Sequence, residues 1–149
     1  MPTSTRFVVS LHMLALMANH GDTPLRSEDI ALSVNSNAAV VRALLLRLAS
    51  AGLTRSQLGN RGGAMLARRS AEIRLVDVYQ AVEDRNFFAF HRQPPEGDGL
   101  IDRHITASLE SMLTPVREAL EDKLAELTLD DVLDDIRARD QAVPLRLSA

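Results

Sequence analysis

The chain of 149 residues carries a net charge of −3, is 46% hydrophobic, and has neither cysteine nor tryptophan. That length and apolar share suit one domain with an appended helix, its core resting on Leu, Val, Ile, Ala and Met. The missing cysteine excludes disulfides, Cys-rich zinc sites and Cys-ligated iron–sulfur clusters and fits a reducing cytoplasm; no signal-peptide pattern and no run of about 18 apolar residues is present, which argues against export or a membrane span.

In chain order, Ser4 or Thr5 can cap a first helix whose apolar face is Phe7, Val8, Leu11, Leu14, Ala15 and Ala18 at i, i+3, i+4 spacing. His20-Gly21-Asp22 ends it, and Thr23 to Arg26 is a short extended link. Ser27 then caps a short second helix. Glu28 and Asp29 lie in its first turn, where negative charge complements the helix dipole, and Ile30, Ala31 and Val34 form its buried face. Asn35-Ser36-Asn37 is a tight turn, with Asn37 as N-cap of a third helix from about Ala38 to Ala51. Val41, Leu44, Leu45 and Leu48 give that helix a core stripe, and Gly52 ends it. Helix, three-residue turn, helix is the spacing of a helix-turn-helix.

The next segment predicts a β-hairpin: a strand over Leu53 to Gln57, a turn over Gly59-Asn60-Arg61-Gly62-Gly63, and a returning strand over Ala64 to Ala67. A hairpin directly after a helix-turn-helix is a wing. Its glycines permit close backbone approach, and Arg61 at its tip can enter a narrow minor groove, whose negative potential attracts a guanidinium. An ordinary Gly-rich hairpin with an exposed Arg would read the same way out of this context.

Beyond the wing, Glu72-Ile73-Arg74 suggests a short strand and Leu75 to Val82 a helix burying Leu75, Val78, Tyr79 and Val82. Asn86 to Phe90 is apolar and aromatic, expected against the core, and His91 to Gly99 is a loop by composition. A long helix is predicted from Leu100 to Glu126, with Pro115 expected to kink or divide it. Thr128 caps a last helix from Leu129 to about Arg137, and Ala138 to Ala149 reads as a loose tail.

The fold class expected is therefore mainly α with a small β-hairpin: a winged helix-turn-helix DNA-binding domain (1–84), a linker or effector loop (85–99), dimerisation helices (100–137) and a flexible tail (138–149). The stripe Ile101, Ile105, Leu109, Met112, Val116, Leu120 and Leu124 needs a partner surface, most simply a second copy of the chain. A two-fold homodimer would present two winged domains to two half-sites about one helical turn apart.

Charge is distributed unevenly. From Ile30 to Ala71 there is no Asp or Glu, but Arg42, Arg47, Arg55, Arg61, Arg68 and Arg69 occur, whereas Val76 to Arg139 is predominantly acidic. The basic block is where double-stranded DNA would sit, although a merely solvated basic face shows the same pattern. Asn37 and Arg42, near the start of the third helix, are candidates for base or adjacent phosphate contact, with Ala38 beside them. Ser36, Arg47 and Ser56 are candidates for phosphate, and Asn60, Arg61 and Gly62 form the tip of the wing. Ser4, Thr5 and Arg6 are placed to touch phosphate at the start of the first helix.

Several segments resemble the Rrf family of bacterial winged-helix transcriptional regulators, relatives of iron–sulfur cluster and nitric-oxide sensing repressors. They are Ser4-Thr5-Arg6, Ser27 to Ala31, Asn37 with Leu44 to Leu53, the wing Gly59 to Arg68, and Ile73 to Val82. The resemblance covers roughly residues 3 to 136. The order of wing, I-x-L-x-D-V-x-x-A-V segment, loop and long helix is its most specific part. It implies a DNA-binding regulator, more commonly a repressor. Cluster-binding members carry three Cys in the loop before the long helix, and the equivalent stretch here, roughly Gln93 to Arg103, has none, so the resemblance is to a cluster-free branch. His104 lies where some members supply a non-Cys ligand, but alone it holds no cluster.

No enzyme is expected. There is no Cys nucleophile, no G-x-S-x-G elbow, and no Lys-Ser/Thr after the Gly-rich turn. His12 reads as a partly buried packing residue, and His20 suits the C-terminus of the first helix. His91 and His104, with Glu96, Asp98 and Asp102 between them, lack a recognised ligand spacing, so no metal and no cofactor are assigned. Two alternatives stay open. The acidic C-terminal helices could bind a partner protein, making the chain an interaction module or co-regulator. An effector, small molecule or protein, could act on the loop, with Phe87, Phe88, Phe90 and Leu100 lining an apolar pocket or simply forming core.

Overall fold

The local rule that starts most helices here is an acid reaching back to an amide. In the computed structural model, which describes residues 5–83, 88, 90 and 95–142, Glu72 accepts from the Arg69 N–H at 3.3 Å, Asp77 from that of Arg74 at 3.3 Å, Asp102 from that of Gly99 at 3.3 Å, and Asp131 from that of Thr128 at 2.7 Å. Each satisfies an amide that an unpaired helix start leaves without a partner. The elements are α1 (Arg6–His20), α2 (Ser27–Ser33), α3 (Ala38–Ser50), β1 (Thr54–Gln57), β2 (Gly63–Leu66), a 3-10 turn (Ser70–Glu72), α4 (Leu75–Val82), α5 (Leu100–Ala125) and α6 (Leu129–Ala142). The fold is mainly helical with one two-stranded antiparallel hairpin, as the sequence predicts.

One core joins α1, α2, α3, the hairpin, α4 and the start of α6. Met13, Leu14, Ile30, Val41, Leu48 and Val78 are among its fully enclosed side chains. The buried face of α1 is wider than the expected one: Leu14 is buried and Phe7, Leu11, Ala15 and Ala18 pack half-buried against the core as expected, but its centre is shifted. Ser10, Met13, Leu14 and Met17 are buried, while Val8 is 67% exposed and His12 lies in solvent rather than against the core. Nor is α1 capped by its own neighbours as expected. Thr5 occupies the N-cap position without a side-chain cap, and the carboxylate of Glu83, at the end of α4, accepts from the Phe7 N–H at 3.1 Å. Ser27 is the first residue of α2 rather than its cap. Ser4 lies outside the described residues.

Two further expectations change. Ser70 to Glu72 forms a 3-10 turn in place of a strand, and only Arg74 makes an isolated antiparallel bridge, with Thr128. On either side of that bridge the Leu75 N–H donates to Leu127 O (2.9 Å) and the Leu129 N–H to Ile73 O (2.8 Å). These bonds return the chain to the N-terminal domain, where Leu129 and Leu133 are buried. Thus α6 is a wall of the winged domain as well as a C-terminal element. It runs to Ala142, beyond the predicted end at Arg137, so residues 138–142 of the expected loose tail are helical; residues 143–149 lie outside the described residues.

α5 spans 26 residues with Pro115 inside it and is one continuous helix, not two. It rests on α4, where Gln80 donates to Glu121 at 2.8 Å. Tyr79 packs edge-on against Phe7 at 5.6 Å. Burial first, then the charges of Glu83 and Glu121, push its phenol pKa up, against the lowering effect of Arg117.

Candidate nucleic-acid interface

The α2–α3 turn is built by Asn35, which takes a left-handed φ of 51°, a conformation Asn tolerates better than most residues. The Ser36 N–H then donates to Ala31 O at 2.9 Å, and the Asn35 N–H to Leu32 O at 3.3 Å, closing the end of α2. Asn37 caps α3 as predicted, its Oδ1 accepting from the Val40 N–H at 2.9 Å. With Val41, Leu44 and Leu48 turned inward, α3 shows the outside Ala39, Val40, Ala43 and Leu46, the last 71% exposed.

The wing pairs Thr54 with Leu66, Arg55 with Met65, Ser56 with Ala64 and Gln57 with Gly63. Its second strand is also held from outside. Leu25 and Ala64 exchange backbone hydrogen bonds at 2.9 and 2.8 Å, and the Arg26 guanidinium donates to Asn60 O at 3.0 Å. A Cβ at Gly63 would collide with the Leu25 carbonyl, so this contact requires glycine. Gly59 turns the tip with a φ of +107°.

Between α3 and the wing runs a groove of about 410 Å³, lined in part by Ser27, Arg42, Leu46, Ser56 and Gln57. Of the residues singled out from sequence, Ser36, Asn37, Arg42, Ser56, Asn60 and Arg61 are exposed around the α2–α3 turn, this groove and the wing tip, while Ala38 and Gly62 are half-buried. Arg42 is bound sideways to Glu28 at 3.0 Å in a pair exposed on both sides. The remaining candidates gather elsewhere. Arg6 pairs with Glu83 at 3.2 Å and Arg47 donates to Val82 O at 3.0 Å, so both sit at the C-terminal end of α4, with Thr5 beside Arg6.

Two cations outside the sequence-derived set bear on this surface. Arg26 is tied to the wing tip, a contact that local sequence does not announce. Arg55 follows Thr54 on β1 and, by strand alternation, faces opposite to Ser56; it lines a second groove of about 650 Å³ with Arg68 and Arg69. Among the described residues the guanidinium groups of Arg55 and Arg61 have no hydrogen-bond or ion-pair partner. Arg68 is spent on the end of α3, donating to Gly52 O at 3.0 Å and Ala51 O at 3.2 Å.

Along α5, Ile101, Met112 and Val116 are 68%, 70% and 52% exposed, and Ile105, Leu109, Leu120 and Leu124 are half-buried. Phe88 and Phe90 are half-buried and Leu100 exposed; Phe87 and His91 lie outside the described residues. His104 is exposed, and among the described residues no three His, Asp or Glu side chains cluster as metal ligands. Among them, too, no single helix is long and apolar enough to cross a membrane.

Comparison with known proteins gives this geometry a family. The family described as "Rrf2: Iron-dependent Transcriptional regulator" matches residues 3–135. YwnA of Bacillus subtilis, named as an HTH-type transcriptional regulator, is 35% identical over 132 residues, covering 87% of this chain and 96% of YwnA. A crystal structure titled as a DNA-binding protein superposes with a TM-score of 0.70 at 32% identity, covering 86% of this chain and 98% of that one. The structure of T. potens IscR gives 0.67 at 25% identity, covering 91% and 88%. The iron in the family description does not carry over as a thiolate-held cluster, because the chain has no cysteine to hold one. These relatives are regulators of transcription and not enzymes, and with them the chain belongs to the Rrf2 family of winged-helix, DNA-binding transcriptional regulators, as a member without cysteine.

Proposed function

We propose that the protein is a cytoplasmic homodimeric repressor that binds a two-fold operator without an iron–sulfur cluster. In this reading α3 lies in the major groove with its N-terminal turn toward the bases, and Asn37 and Arg42 reach base edges or adjacent phosphate. Ser36, Ser56 and Asn60 contact phosphate, and Arg61 enters the minor groove. Thr5, Arg6 and Arg47, with Ser4, meet the backbone at the far edge. The division into a DNA-binding part, an effector loop and a dimerising helix belongs to the same proposal, with α6 reassigned to the winged domain.

The observation that carries it is the unpaired guanidinium of Arg61 on an anchored wing tip, in the same acid-free stretch of chain as α3. A guanidinium kept free of protein partners is available to phosphate or to a narrow groove. The homodimer rests on the exposed Ile101, Met112 and Val116 of α5. Glu28 pairs with Arg42, a residue of the groove. It holds Arg42 only through an exposed pair, worth about 0–1 kcal/mol, which a phosphate can displace.

The test is fluorescence anisotropy on duplex from the region upstream of the protein's own gene and on scrambled duplex, at two salt concentrations. Preferential binding to the upstream duplex with a steep salt dependence is expected. Equal, weak and salt-erased binding to both would overturn it and direct attention to a protein partner of the acidic helices.

A further inference from the structure

Every polar side chain exposed on the body of α3 is turned back onto the protein. Arg42 is held by Glu28 at 3.0 Å, Arg47 donates to Val82 O at 3.0 Å, and Ser50 donates to Leu46 O at 2.9 Å. What α3 offers a ligand head-on is Ala39, Val40, Ala43 and Leu46, with Val40 43% and Leu46 71% exposed. Such a face has no donor or acceptor with which to read a purine edge or a cytosine amino group.

An apolar helix face in the major groove can still discriminate bases, because thymine alone among the four projects a methyl group there. We infer that the middle of α3 recognises its operator by packing Val40 and Leu46 against thymine methyl groups, with Ala39 and Ala43 small enough to let the helix approach. Thymines at the centre of each half-site are then specified by apolar contact, while the arginines around the helix position it. The surroundings favour DNA over a protein ligand, because Leu46 shares its groove with Arg42 and the strip lies within the acid-free stretch from Ile30 to Ala71. The inference rests on the proposed placement of α3 in the major groove.

The experiment begins with selection of bound duplexes from a random-sequence library by the full-length protein. The selected site is then synthesised with deoxyuridine replacing thymidine one position at a time, which removes only the methyl group. Binding is measured for the wild type, Val40→Ala and Leu46→Ala; both side chains are exposed, and alanine is the strongest helix former, so the fold is kept. One or two positions per half-site should bind about fourfold more weakly with deoxyuridine, a methyl-sized burial. At those positions the Val40→Ala or Leu46→Ala protein should no longer distinguish the two bases, the signature of a direct pairwise contact.

A selected site that binds equally well with deoxyuridine at every position overturns the methyl contact and leaves the major-groove reading standing. So does a deoxyuridine effect that both variants retain in full. Failure to select any sequence overturns the placement of α3 and the methyl contact together.

Discussion

α4 and α5 carry the same kind of apolar stripe, and the fold treats them in opposite ways. The eight residues of α4 bury Leu75, Val76, Val78 and Val82, whereas the 26 residues of α5 bury none within one chain. A stripe therefore reports that a helix face needs cover, not what covers it. For α4 the cover is α1, α3 and α5 of the same chain. For α5 one side leans on α4 while Ile101, Met112 and Val116 remain open.

The contrast can be broken first on the buried side. Leu129→Ala empties a fully enclosed position that docks α6 and should cost about 2–5 kcal/mol in urea denaturation; a loss below 1 kcal/mol would mean that α6 is not part of the core. On the open side, Met112→Ser with Val116→Ser should raise the dimer dissociation constant at least about tenfold, or about 1.4 kcal/mol, in sedimentation equilibrium, without unfolding the winged domain. The wild-type melting temperature should rise with protein concentration. A concentration-independent melting temperature and the mass of one chain would show that α5 does not self-associate.

The same division between inward and outward faces applies to α3 and the wing. Asn37→Ala removes the cap of α3 and should cost about 1 kcal/mol of stability. Arg61→Ala should leave stability within about 0.5 kcal/mol but lower the slope of log affinity against log salt by about 1. A full-slope Arg61→Ala protein would place the wing tip away from phosphate.

The smallest effect concerns acid. The N–H and hydroxyl of Thr128 hold the Asp131 carboxyl below its ordinary value. The stabilisation is present above the usual aspartate range, near about 3.9, and is lost as pH falls through the lowered folded value. Amide exchange at the start of α6 should quicken there in the wild type and show no such step in Asp131→Asn.

Much of this was legible in the sequence because it is local. Asn37 as a cap, the glycine-rich wing and the Thr128 start of α6 depend on residues within a few positions. The buried face of α1 was only partly legible: Leu14 and its neighbours Phe7, Leu11, Ala15 and Ala18 pack inward as expected, but apolar residues at nearly every position from Phe7 to Ala18 left its centre undecided by periodicity. The packing of Met13 and Met17 against other elements decides it. Arginine partners were hidden for another reason. Arg42–Glu28, Arg47–Val82 and Arg68–Gly52 join residues 14, 35 and 16 positions apart, and charge composition alone made all three cations look equally available to DNA.

The anchorage of the wing has a thermodynamic consequence. A two-stranded hairpin alone is at best marginally stable in water, and a frayed wing would have to be ordered on each encounter with DNA. The Leu25–Ala64 bonds and the Arg26–Asn60 contact give this hairpin part of a third strand and a tether at its tip. Its conformational entropy is surrendered when the chain folds, so association is spared much of that ordering cost.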